Sequence, residues 1–397
     1  MTKSTSLSSA KVFSNWLSDI RRELHRYPEL SDEEFETTAK IRKWLENAGI
    51  RIVDYSLHTG VIAEVGGLNG GSIIALRADI DALPIQESSG LSFASVSPGK
   101  MHACGHDYHT AVLIGTAILL KEHEEKLNGT IRLIFQPAEE KATGAREVIN
   151  SGALEGVTSI LGFHNKPDYP VGTVGIKGGA LMAAPDRFSV DIEGKGTHAA
   201  VPESGIDPIN VASHIVTALQ SIVTRNVSAL DHAVISVTKF QSGTTWNVIP
   251  DRAYLEGTIR TFDEVVRRHI IERFDQVVEG VATSFNAKAS VHWIEGPPAV
   301  HNDDELAELA WQEAEELGLI PIIATPSLAG EDFSEYQQKI PGLFVFIGTA
   351  GNHEWHHPAF DLDERSLPIA VDFIAGTAKR MLLHANNKIG SVGFYNI

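Results

Sequence analysis

One cysteine, Cys104, is all the thiol chemistry that this 397-residue chain carries. It cannot form a disulfide within the chain, which points to a reducing compartment and sets aside cystine-stapled secreted domains. Basic residues are also scarce. The 33 lysines and arginines face 51 aspartates and glutamates, a formal net charge of −18. Nucleic acid and anionic membrane surfaces would not be attracted to such a chain, so neither is expected as a partner. No stretch is long and uncharged enough to span a membrane, and Met1 to Ala10 is polar, without the apolar core of a signal peptide. A cytoplasmic protein is expected. No internal repeat or low-complexity tract is visible. What is present, 43% hydrophobic and 21% charged residues, suits a soluble globular protein. The length exceeds what one core usually serves, so two domains are expected.

The lone cysteine sits in the densest chemistry of the chain, His102-Ala103-Cys104-Gly105-His106-Asp107-Tyr108-His109. A thiolate and imidazoles are the side chains that bind a borderline-soft divalent metal. Gly105 lets the backbone turn so that Cys104 and His106 point at one centre. Pro98-Gly99 marks a turn before the cluster, and the apolar run from Thr110 to Leu120 predicts a buried helix after it. The bland alternative is a structural cysteine among surface histidines.

Other candidate groups fall at the ends of apolar strands. Val61 to Val65 and Ile73 to Leu76 read as strands, with Gly66 to Gly71 forming a hairpin or tight connection between them. The second runs into Asp79 and Asp81, which alternate and so share one side. The strand Thr130 to Phe135 runs into Glu139 and Glu140. One of this pair could ligate a metal while the other acts as a general base. Ile160 to Phe163 ends at His164, a position more often structural, yet it repeats the strand-end pattern, and such ends are where sites gather in α/β sheets.

Helices are predicted over Ala10 to Arg26 and from Ser31 to about Ala48, the second opened by a capping box of Ser31 and Glu34. From about residue 181 to 295 the strands alternate and intersperse with amphipathic helices, which predicts a half-exposed sheet with helices on one face. We read 181–295 as a separate α+β domain inserted into a discontinuous one, 1–180 and 296–397, with Gly296-Pro297-Pro298 marking the return. Ser366 to His384 is a closing helix, and Ala385 to Ile397, with no clear pattern, is a candidate for disorder.

His353-Glu354-Trp355-His356-His357 matches H-E-x-x-H in letters only. That motif needs a helix, and Gly351 and Pro358 flank it too closely. A loop there can still deliver one ligand.

Taken together, Met101 to Asp107, Phe135 to Glu140, Gly162-Phe163-His164, Gly196 to Ala200, Asn247 to Pro250, Gly330 to Phe333 and His356 to Phe360 resemble, in order, motifs of the co-catalytic metallopeptidases that include aminoacylases and carboxypeptidase G. The branch most resembled holds hippurate hydrolase and the plant auxin-conjugate hydrolases. The resemblance implies an α/β, two-domain protein: a mixed-sheet, metallopeptidase-like catalytic domain with an inserted α+β lid and dimerisation domain. It implies two divalent ions per subunit, zinc or manganese, held by Cys104, His106, Glu140, His164 and His356, with Glu139 as catalytic base. Asp79 and Asp81 then orient ligands or lie near the bridge between the ions. The implied reaction is hydrolysis of the amide of an N-acyl amino acid, Glu139 taking a proton from water and handing it to the leaving amine. In the inserted domain, His198 and Asn247 can donate to a developing oxyanion, and Arg260 can grip an α-carboxylate. The resemblance has these residues facing substrate, with His198 acting across a homodimer. Lys141, Glu203 and Trp355 depart from the usual Gly, His and Leu, which bears on substrate choice. The alternatives are a metal-dependent dipeptidase or carboxypeptidase, and a cysteine hydrolase using Cys104, which lacks an orienting third group.

Overall fold

The computed structural model describes residues 4–392. The chain forms two compact units, one running up to Gly179 and resuming over His301–Thr325 and from Asp332, the other made of Ala180–Val300 with Pro326–Glu331.

The first unit is built on an eight-stranded mixed sheet. In spatial order its strands are Arg51–Ile52, Val61–Gly66, Thr130–Gln136, Ile73–Asp79, Val157–Lys166, Gly342–Gly348, Thr173–Ile176 and Ile320–Ile323. The four central strands are mutually parallel. They read as unbroken apolar runs, and Thr130–Gln136 and Gly342–Gly348 are buried throughout, as expected where both faces of a parallel sheet are covered. The helix His106–Lys121 packs between the sheet, Ser4–Arg26 and Ser366–Val392. Its buried face is almost its whole circumference, so it carries little amphipathic pattern. Gly115 is needed at its centre, since a Cβ there would stand 2.6 Å from Leu17 and 2.7 Å from Val371.

Parallel register determines where the strand ends fall. Asp79 pairs with Gln136, and Arg77 pairs with Gly162, so Asp79, the start of the 137–140 loop and His164 end at one level. This is the carboxyl edge of the sheet, where functional groups collect in such folds.

Three local expectations are corrected. Val61–Gly66 and Ile73–Asp79 are not a hairpin, because Thr130–Gln136 lies between them, antiparallel to the first and parallel to the second. The glycine run instead wraps over the incoming strand. Gly67 N donates to Gly129 O, Thr130 N donates to Ser72 O, and a Cβ on Gly71 (φ 97°) would meet Asn128 O at 2.7 Å. The capping box is also absent. The helix Phe35–Asn47 has no side-chain cap from Glu34, and its first amides at Glu36 and Thr37 donate to Glu29. Finally, the closing helix runs through Ala385 as far as Val392, so the described part of 385–397 is ordered helix; 393–397 lie outside the described residues.

The second unit is a four-stranded antiparallel sheet in the order Ala233–Ser242, Arg252–Thr261, Ala184–Glu193, Lys288–Ile294. Alternate residues such as Phe188, Val190 and Ile192 are buried. They pack with Ile215, Leu219, Ile270 and Phe274 of the helices Pro208–Arg225 and Glu264–Ser284. Asp207 and Asp263 cap these helices through the amides two and three residues on. Among the described residues, no helix is long and apolar enough to cross a membrane.

Candidate metal centre

Cys104, His106, Glu139, Glu140, His164, His356, Asp79 and Asp81 all belong to the first unit, and their donor atoms converge. The ligand atoms of Cys104, His106 and His164 lie within 4.8 Å of one another, as do those of Cys104, Glu140 and His356, and those of His106, Glu139 and Glu140. Cys104, His106 and Glu140 each recur, so the donors form one continuous cluster with room for more than one centre.

Tight turns aim these groups. Gly105 (φ 88°) ends the loop and starts the helix at His106. Ala138 (φ 49°), just before the glutamate pair, and His356 (φ 64°) are non-glycine residues in the left-handed region, a strain of roughly 1–3 kcal/mol each that tends to gather at functional sites. Ala138 is held there by its N–H donating to Glu34 Oε1 at 2.9 Å, and His356 N–H donates to Ala103 O at 2.8 Å. The H-E-x-x-H letters lie in a non-helical loop, where the rings of His353 and His357 stack on each other while His356 Nε2 lies 3.5 Å from Glu140 Oε1.

Hydrogen bonds set which ring nitrogen is available. His106 Nδ1 donates to Asp81 Oδ1 at 3.1 Å, and His164 Nδ1 donates to the Asn165 carbonyl at 2.8 Å. Nε2 of each ring faces inward; in His164 it is a lone pair 3.4 Å from Cys104 Sγ, and in His106 it becomes one when a bound cation displaces the ring proton. Asp81 is itself held by Ser31 Oγ at 2.6 Å and Glu140 N at 3.1 Å. Asp79 accepts from His109 Nδ1 at 2.6 Å and from Arg77 Nη1 at 2.7 Å.

The electrostatics favour a cation. Burial disfavours a charged His106 ring, but Asp79, Asp81 and Glu140 outweigh it and raise its pKa to about 10. Burial pushes Asp79 up, yet His106, His109 and Arg77 hold it well below the usual carboxylate range. His164 is held well below the usual histidine value, first by burial and then by His109. Burial also keeps His102 neutral, with a pKa of about 4.

The donor set fits a divalent metal on a direct observation. Among the described residues, the buried atoms His106 Nε2 and Glu140 Oε1 have no hydrogen-bond partner. They lie 3.9 Å apart, too far to bond each other. Leaving a buried polar atom unpaired costs about 1–3 kcal/mol, and a divalent cation that displaces the His106 proton and takes a lone pair from each group removes that cost. The thiolate, imidazole and carboxylate set is the one that borderline-soft ions prefer.

The remaining candidates are in the second unit. His198 is exposed on the two-residue strand Thr197–His198, paired with Val248–Ile249, and Ala199 N donates to Asn247 O, so His198 and Asn247 are neighbours. Arg260 lies on Arg252–Thr261, where its Nε donates to Leu328 O at 3.1 Å and its Nη1 to Ile259 O and Thr258 Oγ1.

Several contributors were not singled out from the sequence. His109 is detectable in principle, being three residues beyond His106 on one helix face. Ser31 and Glu34 carry no local signal, because their partners are 50 and 104 residues away, and Arg77 joins its neighbour Asp79 to Asp332, 255 residues on.

Residues 75–380 match the model of peptidase family M20/M25/M40. Over 369 residues the chain is 53% identical to an N-acetylcysteine deacetylase of Bacillus subtilis (strain 168), covering 93% of this chain and 97% of that protein. Over 393 residues it is 38% identical to IAA-amino acid hydrolase ILR1-like 5 of Arabidopsis thaliana, covering 96% and 90%. The crystal structure of the Bacillus subtilis YXEP protein, a dinuclear metal binding peptidase from the M20 family, matches with a TM-score of 0.86 at 50% identity, covering 94% of this chain and 99% of that one.

Proposed function

Since the chain belongs to peptidase family M20/M25/M40, we propose that its cluster of donor groups, buried at Cys104, His106 and His164 and open at His356, hydrolyses the amide bond of N-acyl amino acids, with Glu139 as general base. The enzyme is a metal-dependent amidohydrolase. The observation that supports the assignment of roles is the pair of carboxylates at His106: among the described residues Glu140 Oε1 is a buried acceptor without a hydrogen-bond partner, and Glu139 is a second carboxylate within reach of the same group.

In this reading Cys104, His106, Glu140, His164 and His356 would hold two divalent ions. When bound, these ions supply Lewis acidity, polarising the amide carbonyl and bringing the pKa of a water toward neutrality. Glu139 accepts the proton of the attacking water and delivers it to the departing amine, leaving a carboxylic acid and a free amino acid. Asp81 and the Asn165 carbonyl keep His106 and His164 in the tautomers that present Nε2. Sulfur among the ligands favours zinc over magnesium or calcium, with manganese as the second candidate. A single cysteine, with no partner for a disulfide within the chain, supports a cytoplasmic site of action.

Purified protein tested on N-acetyl, N-benzoyl and indoleacetyl amino acids beside simple dipeptides should turn over the acyl amino acids faster, with loss on chelation and recovery on adding zinc or manganese. Preference for dipeptides would make the protein a dipeptidase instead. Cys104 should resist alkylation in the metal-loaded enzyme and become reactive once metal is stripped. Equal rates in both states would take Cys104 out of the ligand set.

We propose further that His198, Asn247 and Arg260 contact the substrate and that the enzyme is a homodimer. His198 and Asn247 lie beside the Arg252 end of the strand Arg252–Thr261, since Gly194 N donates to Asp251 O just before it. Arg260 is eight residues along the same strand, about 27 Å at roughly 3.4 Å per residue. A separation of that order supports a joint role across two copies of the chain. Exposed apolar side chains beside the first group support pairing there, Trp246 at 91% and Val248 at 48%. Among the described residues, the edge strand Ala233–Ser242 has no partner on its outer side either. Mixing inactive Glu139→Ala with inactive His198→Ala protein under subunit exchange should restore part of the activity. No recovery despite demonstrated exchange would confine His198 to its own subunit or remove it from catalysis.

A further inference from the structure

Asn165 is buried and engages more of the cluster's framework than any one ligand requires. Its Nδ2 donates to the Cys104 carbonyl at 2.6 Å and lies 3.0 Å from His109 Nε2. Its backbone N–H donates to the same His109 nitrogen at 3.0 Å, and its backbone carbonyl accepts from His164 Nδ1 at 2.8 Å. Its Oδ1 accepts from the indole N–H of Trp355 at 3.2 Å, across 190 residues of sequence.

Chemistry distinguishes the two ends of this amide. An indole N–H only donates, so the end facing Trp355 is oxygen; a backbone carbonyl only accepts, so the end facing Cys104 is nitrogen. A flipped amide would set oxygen against oxygen at Cys104 and N–H against N–H at Trp355. The same amide settles His109. Its Nε2 receives N–H groups, so its proton is on Nδ1, donated to Asp79 Oδ1 at 2.6 Å. The packing permits no slack. A Cβ on Gly105 would stand 2.4 Å from Asn165 Nδ2. The Trp355 ring meets the His164 ring edge-on with centroids 4.5 Å apart, and Lys166 Nζ lies 4.9 Å from the indole.

We infer that Asn165 is a positioning residue, its amide oriented by Trp355, which sets Cys104, His164 and His109 in the arrangement that gives the cluster its metal affinity. Neither residue needs to touch substrate for this. The inference rests on the reading of Cys104 and His164 as metal ligands. It predicts a dependence on the donor and acceptor pattern of the amide, whereas a packing role would depend only on shape.

Two near-isosteric changes separate these. Asn165→Asp keeps the shape and replaces the donor by an acceptor. Trp355→Phe keeps a ring against His164 and removes the N–H. Zinc and manganese affinities are read by chelator competition on the purified full chain, together with kcat and KM for an N-acyl amino acid and the Tm of the metal-free proteins. Asn165→Asp should weaken metal binding about 10–100-fold, the scale seen for partners that orient ligands. Trp355→Phe should weaken it about two- to tenfold, the worth of one hydrogen bond. KM should change little, and excess metal should restore kcat in Trp355→Phe. Because Trp355 acts through Asn165, the double variant should bind metal no more weakly than Asn165→Asp alone. Wild-type affinity in both single variants would overturn the inference, as would strictly additive losses or a loss tracked entirely by a lower metal-free Tm. A wild-type protein that binds no divalent metal would instead overturn the two-metal reading on which the inference stands.

Discussion

Glu139→Ala lowers kcat by at least about a hundredfold, the scale of general base catalysis, while its metal content stays near that of the wild type. The expectation follows from the division of labour between adjacent carboxylates. Glu140 presents a buried acceptor without a hydrogen-bond partner, 3.5 Å from His356 Nε2 and 3.9 Å from His106 Nε2, a position suited to a ligand. Glu139 shares the group around His106 but not the one around His356, and proton transfer is the role we propose for it. Metal analysis beside steady-state kinetics checks this. If Glu139→Ala loses metal, the roles of the two carboxylates are exchanged.

The second large effect is on stability. Arg77→Met should destabilise the first unit by about 3–5 kcal/mol, because it breaks a buried ion network from one side. Arg77 is fully buried in Ile73–Asp79. It reaches Asp79 Oδ2 at 2.7 Å, Asp332 Oδ1 at 2.8 Å and Gln136 Oε1 at 2.9 Å. Methionine fills much of the volume but leaves two buried carboxylates without their cation. The loss should depend on pH. Burial already raises Asp332 to about 6 against the pull of Arg77, and removing the guanidinium raises it further. An acid whose folded pKa is above its unfolded value favours folding where it is protonated, so the deficit should be larger at pH 8 than at pH 5. Urea unfolding at both pH values measures it. A deficit under about 1 kcal/mol at pH 8 would mean that water or relaxation replaces Arg77.

Local pattern was enough to read the chain as a mixed α/β protein with its candidate groups at strand ends. The apolar runs before Asp79, Glu139 and His164 carry the strand signal within a few residues, and a strand end is a local property. The Cys104–His106 turn is legible for the same reason, since glycine at 105 and the apolar helix behind it are neighbours in sequence. Pairing is not local. Nothing near Gly66 to Gly71 says that Thr130–Gln136 will enter between the flanking strands, so a glycine run that wraps a third strand reads as a hairpin. Ser31 and Glu34 fit a capping box in every letter, yet in the folded chain Ser31 donates to Asp81 and Glu34 accepts from Thr59 and Ala138. A buried carboxylate or amide left unpaired costs more than an exposed helix end, which water or Glu29 can satisfy, so the tertiary demand wins. The same holds for the tautomers of His106, His109 and His164. Sequence names the rings, but which nitrogen faces inward depends on Asp81, Asn165 and, through it, Trp355, and those contacts exist only once distant segments have packed.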